Sequence, residues 1–343
     1  MNSEEIRVGI IGAGANTRWR HIPGLQAIEG VTVVSVCNRS RASSERVAEA
    51  FGIPKVFENW QDVISDPDTD AVVIGTWPYL HCEAALAALE EDKHVMCEAR
   101  MAMNAWEAHA MNDAARERPY LVAQVVPEPF TLRVDRTIKR LVAEGYLGDL
   151  LAIEVRAGGT FLDEESPLHW RRDFDLSGLN TMSLGIWYEA VMRWVGEAKS
   201  VMAIGKTFVK MRKGSDGFMQ AVRIPEHLEV IGEMVCGAQM HFQVSSVTGL
   251  AGATEIFLFG SEGTLRFSEN KLYGGKRKNK KLREVAIPPE EEQSWRVEEE
   301  FVNAIRGLEP ITHTTFADGV KYMEFTEGVA RSVASREAVS LPL

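Results

Sequence analysis

An unbroken apolar run, Ile6–Ile11, ends at Gly12-Ala13-Gly14-Ala15-Asn16-Thr17, and a second apolar run follows at Val31–Cys37. A strand, a glycine turn, a helix and another strand open a doubly wound α/β sheet, and few other folds accept that order. Gly12 and Gly14 allow the backbone to turn tightly and to come close to a pyrophosphate. The N–H groups and dipole at the start of the next helix would hold its charge. Thr17 stands where the usual dinucleotide fingerprint has its third glycine. The rival reading is an ordinary strand–helix turn. The loop's place after the first strand and before the second favours the nucleotide.

The alternation continues. Apolar runs at 71–75, His94–Cys97 and 121–126 are separated by segments of helical period at 19–29, 43–51, 82–91 and 105–116. This predicts a parallel sheet with helices on both faces. After Pro127 and Pro129 the pattern changes. A helix is expected over 132–144, then strands at 150–157, 200–209, 228–235, 238–246, 254–260 and 264–268. Helices at 181–195, 295–306 and 316–334 complete the series. The fold class is therefore α/β, with a Rossmann dinucleotide-binding domain over 1–126 and a second α/β domain with a large open mixed sheet over 127–343. The alternating pattern at 239–244 suggests that this second sheet has one wetter face.

Length and charge bound the function. A chain of 343 residues can bury two cores. A net charge of -11 repels nucleic acid and anionic membrane. The one basic tract, 276–281, lies between strand-like segments and reads as a solvated hairpin tip. No apolar run reaches the ~20 residues that span a bilayer. The polar start, Met1-Asn2-Ser3-Glu4-Glu5, predicts no signal peptide, and Cys37, Cys82, Cys97 and Cys236 read as reduced, buried thiols. A cytoplasmic protein is expected. No His-x-x-x-His or carboxylate cluster has metal spacing, so no metal site is expected.

The second strand ends at Cys37-Asn38-Arg39-Ser40-Arg41. An acidic residue here would bind the ribose diol of NAD. Asn38 cannot repel a phosphate as a carboxylate would, and Arg39 and Arg41 offer bidentate cationic partners. The expected cofactor is NADP, with NAD as the alternative.

Further motifs carry a resemblance. Gly75-Thr76-Trp77-Pro78-Tyr79-Leu80-His81 is similar to a Thr-Pro-Asn-x-x-His loop. Cys97-Glu98 is similar to the start of a Cys-Glu-Lys-Pro motif, and Gly145-Tyr146-Leu147-Gly148 to a Gly-x-hydrophobic-Gly turn. Trp170-Arg171 resembles a Trp-Arg pair. Gly185-Ile186, with Arg193-Trp194 following, resembles a Gly-Ile-His helix, and Gly260-Ser261-Glu262-Gly263-Thr264-Leu265 resembles a late hairpin. Their order and spacing resemble the glucose–fructose oxidoreductase and inositol dehydrogenase family (Gfo/Idh/MocA). The resemblance implies a nicotinamide cofactor between two domains, a sugar, polyol or related substrate, and a homodimer or homotetramer formed through the open sheet. It implies cofactor contacts from Gly12, Ala13, Gly14, Asn16, Thr17, Asn38, Arg39, Ser40, Arg41, Thr76, Trp77, Leu80, His81, Glu98, Ala99, Gln124, Trp170 and Arg171.

The chemistry departs from the family. Its lysine aligns with Ala99, its aspartate before Gly185 with Ser183, its histidine after Ile186 with Trp187, and its next aspartate with Ala190. Alcohol oxidation needs an acceptor for the hydroxyl proton, which alanine and tryptophan cannot be. Arg100 keeps its proton but could fix a carboxylate or a developing alkoxide. Asn180, Ser183 and Trp187 have the spacing of one helical face. Trp187 reads either as a substrate wall or as core. His169 is the best remaining proton acceptor in the second domain, and His21 reads as a residue that caps or packs the helix after the glycine loop. Three functions fit: an NAD(P)-dependent oxidoreductase, a redox-neutral lyase or glycosidase with a transiently used nicotinamide, or a non-catalytic cofactor or metabolite sensor.

Overall fold

The computed structural model describes residues 5–343, so residues 1–4 of the polar start lie outside it. The chain forms two compact units. The first is the segment up to Pro127 together with Arg296–Val320; the second is Glu128–Trp295 together with Lys321–Leu343.

Among the described residues the first unit holds a six-stranded sheet. Its strands are β1 (Ile6–Ile11), β2 (Val31–Cys37), β3 (Lys55–Val56), β4 (Ala71–Ile74), β5 (His94–Cys97) and β6 (Ala123–Val125). They lie in the order β3-β2-β1-β4-β5-β6, and every pair is parallel. All four residues of β4 are buried, as a strand covered on both faces requires. The order reverses beside β1, so the loops after β1 and β4 lie next to each other, where such sheets open a crevice. Arg41–Phe51, His81–Glu90 and Ala105–Arg116 are the longer connecting helices. The Asn104 side chain caps the last by accepting from the Glu107 N–H at 2.9 Å.

The division at residue 126 assigns everything after it to the second domain. The structure corrects this for Arg296–Val320, which packs within the first unit. The β6 edge explains the return. The Val125 N–H donates to the Thr314 carbonyl at 2.9 Å, and Gln124 donates to Glu300 at 3.0 Å and to the His313 carbonyl at 2.7 Å. Val297, Phe301 and Val302 of the helix Val297–Ile305 are buried.

The second unit has a nine-stranded mixed sheet among the described residues. It is built from β7 (Leu150–Ala157), β8 (Ala198–Lys206), β11 (His227–Met234), β12 (Gln239–Ser245), β13 (Glu255–Gly260), β14 (Gly263–Ser268), β15 (Lys271–Lys276), β16 (Arg283–Glu284) and β17 (Val339–Ser340). The order is β16-β15-β14-β13-β7-β12-β11-β8-β17; only β7 and β12 pair in parallel. A separate ribbon pairs β9 (Met211–Lys213) with β10 (Met219–Ala221). One face packs on helices: Tyr188 stacks on Phe325, and Trp194 meets Phe267 edge-on at 6.4 Å. The other face carries exposed Met202, Ile204 and Ile231. The burial of alternate residues in β12 matches the expected wetter face. Residues 276–281 connect antiparallel β15 and β16, a hairpin tip as read from sequence. Cys37, Cys82 and Cys97 are buried, whereas Cys236 is exposed.

Candidate functional site

The site in the first unit is built on the loop after β1. Gly12 has φ +85, and a Cβ there would lie 2.5 Å from Thr76 Cγ2, so only glycine lets this loop pack on the one after β4. The Gly12 N–H donates to the Cys37 carbonyl at 2.8 Å, and the Gly75 N–H to the Ile11 carbonyl at 2.8 Å. These bonds fix both loops to the carboxyl ends of the central strands. Between them opens a cavity of about 540 Å³, within the usual range for small-molecule sites.

Eight of the expected cofactor contacts line this cavity: Gly12, Ala13, Gly14, Asn38, Arg39, Thr76, Trp77 and Leu80. Asn38 braces the glycine loop, since its Oδ1 accepts from the Ala13 N–H at 2.6 Å. The Arg39 guanidinium lies 5.5 Å from the Trp77 ring centroid, a cation–π arrangement on the cavity wall. Arg41 is elsewhere engaged. It forms ion pairs of 2.8 Å with both Glu45 and Glu58, and it does not line the cavity. Ser40 is the residue preceding the helix Arg41–Phe51. Gln124 is also displaced from the expected set, because it is buried and bound to Glu300 and the His313 carbonyl. Sequence reading missed Glu58, which lines the cavity from a loop with no motif.

Thr17, His81, Asn16, Glu98 and Ala99 form the supporting layer. Thr17 is buried, and its hydroxyl donates to the Gly12 carbonyl at 3.3 Å. His81 is sealed, with ring nitrogens 3.1 Å from the Thr76 carbonyl and 3.0 Å from the Arg100 carbonyl. Burial lowers its pKa despite those carbonyls. Arg100 is itself buried, and the Ala99–Arg100 peptide is cis. Asn16 donates to Glu98 Oε1 at 2.6 Å.

His21 differs most from its sequence reading. It is fully buried, with Nδ1 2.5 Å from Glu298 Oε1 and Nε2 2.9 Å from Glu98 Oε1. Burial opposes its charge, but the hydrogen bonds to Glu298 and Glu98 outweigh it and raise its pKa to about 9. The helix expected at 19–29 is a wide π turn, Thr17–His21, followed by Ile22–Gln26. Pro23 has no N–H for the preceding turn, which accounts for the break in α geometry.

In the second unit, the expected face of Asn180, Ser183 and Trp187 does not form. The helix runs Leu184–Val195, and Met182 with φ +46 separates Asn180 from it. Asn180 is buried and donates to the Ser177 carbonyl at 2.7 Å. Ser183 and Trp187 do meet: the indole N–H donates to the Ser183 hydroxyl at 3.1 Å. Trp187 is 7% exposed and stacks on Phe130 at 5.2 Å. His169 is exposed and caps a short turn, Nδ1 accepting from the Arg171 N–H at 3.3 Å. Partial burial, then Arg171 and Arg172, lower its pKa. Arg171 covers the Trp170 ring at 4.2 Å. Further along the Leu184–Val195 helix, Arg193, little exposed, pairs with Glu128 at 2.5 Å and lies 3.4 Å from Asp135. Glu189 accepts from the Glu128 N–H at 3.2 Å. Burial, despite Arg193 and with Asp135 and Glu189 adding to it, pushes Glu128 up to about 7.

Comparison with known proteins fits this architecture. Residues 6–125 match the model of the oxidoreductase family with an NAD-binding Rossmann fold, GFO_IDH_MocA, and residues 136–266 match the GFO/IDH/MocA C-terminal domain. The chain belongs to the GFO/IDH/MocA family. Levoglucosan dehydrogenase of Pseudarthrobacter phenanthrenivorans is 31% identical over 53% of this chain and 48% of its own length. Glucose-6-phosphate 3-dehydrogenase of Bacillus subtilis is 29% identical over 66% of this chain and 64% of its own. The matches thus span about half to two thirds of these relatives. The solved structure of levoglucosan dehydrogenase with NADH and L-sorbose has the same fold, at TM-score 0.84 and 22% identity over 98% of this chain and 99% of that one.

Proposed function

We propose that this chain is an NAD(P)-dependent oxidoreductase that moves hydride to or from a carbon of a sugar, polyol or related carbonyl compound. The observation that carries the reading is the cavity bounded by Gly12–Gly14, Asn38–Arg39 and Thr76–Trp77 at the reversal point of a parallel sheet. Its backbone-lined floor fits a pyrophosphate and its Trp77–Leu80 wall an apolar ring. NADP is the favoured form, because Asn38 is neutral and Arg39 is exposed beside the cavity. Glu58 at the same rim is already paired with Arg41, which reduces its repulsion of a phosphate. When bound, the nicotinamide supplies or accepts the hydride. The proton moves by another route, since Ala99 and Trp187 cannot carry it. Arg100 would stabilise negative charge without exchanging a proton, and His169, held neutral, can accept one. The second unit is assigned the substrate, with a reducing, cytoplasmic setting that keeps Cys37, Cys82 and Cys97 as thiols. Its uncovered face, with Met202, Ile204 and Ile231, would join copies into a homodimer or homotetramer.

The test is calorimetric titration with NADPH and NADH, followed by turnover of a panel of sugars and polyols monitored at the nicotinamide absorbance. Binding with a net absorbance change supports the reading. Turnover without net change would make the enzyme redox-neutral, and binding without turnover would make it a sensor.

A further inference from the structure

Glu98 directly follows β5, and its N–H donates to the Ile74 carbonyl at 2.9 Å, beside the β4 loop whose Gly75 and Thr76 line the cavity. Its side chain retains 15% exposure, whereas His21 behind it retains none and Glu298 behind that 6%. The three groups form a line, carboxylate–imidazole–carboxylate, whose Glu98 end is the more exposed. Each ring nitrogen of His21 faces a carboxylate oxygen, with Asn16 Nδ2 also 3.2 Å from Nε2, and two flanking carboxylates favour the imidazolium form. Glu98 Oε1 also accepts from Asn16 Nδ2 at 2.6 Å, and its Oε2 accepts from the Ala99 N–H at 3.2 Å. Glu298 reaches this place because residue 24 is glycine: a Cβ there would lie 3.0 Å from Glu298 Cγ and 3.1 Å from Oε2. A carboxylate and a glycine far apart in sequence are thus matched around one histidine.

We propose that His21 and Glu298 are positioning residues that hold Glu98 as an ionised, singly oriented acceptor for a hydroxyl of the dinucleotide. This rests on the dinucleotide reading of the adjoining cavity. A carboxylate with Asn16 and His21 on one oxygen and the Ala99 N–H on the other cannot turn freely. Without the imidazolium, Glu98 would lose the hydrogen bond and the charge from His21 that favour its ionised form, and with them its direction. Among the described residues, the charged groups that shift His21 are Glu298 and Glu98. His81 and Cys97 also feel Glu98; burial lowers the pKa of the first and raises that of the second, so both disfavour their charged forms.

The experiment measures dinucleotide dissociation constants by calorimetry from pH 6 to 10.5 on the whole chain, for wild type, Glu298→Gln and His21→Gln. Wild type should bind with constant affinity to about pH 9 and roughly tenfold more weakly once His21 is deprotonated. Glu298→Gln removes one of two carboxylates and should move that break at least one pH unit lower, while His21→Gln should bind roughly tenfold more weakly at all pH values. Imidazole ¹⁵N NMR of the wild type reports His21 protonation directly, so the idea stays open to refutation if a variant does not fold. Affinity that is flat to pH 10.5 while NMR shows His21 deprotonating overturns the inference, as does a neutral His21 at pH 7. Weaker stability with an unmoved affinity break leaves the trio purely structural and also overturns it. Failure of wild type to bind either dinucleotide at any pH instead removes the functional reading on which it rests.

Discussion

Replacing Trp187 by alanine separates a core residue from a substrate wall. The indole is 7% exposed, stacks on Phe130 at 5.2 Å and donates to Ser183 at 3.1 Å. Tryptophan-to-alanine changes at such buried positions cost ~3–5 kcal/mol, the stack contributing ~0.5–1.5 and the hydrogen bond ~1 of that. For a unit of this size the loss lowers Tm by roughly 10 °C. Trp187→Phe should retain the stack and most of the apolar burial, and so lose only ~1–2 kcal/mol. Urea melts followed by far-ultraviolet circular dichroism measure both variants, and NADPH titration of the folded fraction should give wild-type affinity. A Trp187→Ala protein within ~1 kcal/mol of wild type, but with a raised KM or lowered kcat, would refute the core assignment and return the ring to the substrate site.

Other outcomes are specific. Arg39→Ala should weaken NADPH by ~1–3 kcal/mol and leave NADH unchanged in calorimetry, because only the 2′-phosphate loses a charged partner. Stability should fall as pH rises through about 9: His21 is raised from 6.5 to about 9, so its contribution is complete below 6.5 and worth roughly 3 kcal/mol, readable in melts between pH 6 and 10. Arg193→Met should cost ~3–5 kcal/mol at neutral pH by leaving Glu128, Asp135 and Glu189 buried without their shared cation. Light scattering at micromolar concentration should give a dimer or tetramer, and Ile231→Lys should shift it toward monomer.

The Rossmann sheet was legible because its strands are continuous apolar runs, which only a sheet covered on both faces tolerates. β3 escaped notice because Lys55–Val56 is too short to show a period. The helix start at Leu184 was misplaced because Met182 adopts a left-handed conformation that its residue type does not announce. The glycine loop gave most of the cavity wall. Glu58 and the Glu298–His21–Glu98 line were hidden, since a lone histidine and distant glutamates carry no local pattern. Gly24 directly after Pro23 was the only available hint, and it reads as a turn until Glu298 is seen beside it.

The return of Arg296–Val320 to the first unit has a consequence for biosynthesis. A ribosome finishes the glycine loop and β6 early, yet Gln124 and His21 obtain Glu300 and Glu298 only once residues 298–300 of the 343 emerge. At ~5–20 residues per second the nascent first unit waits roughly 10–40 s with those polar groups unmatched. Release of a truncated chain ending near residue 290 would leave that wait permanent, so premature termination should yield an open, protease-sensitive first unit and no autonomous Rossmann domain.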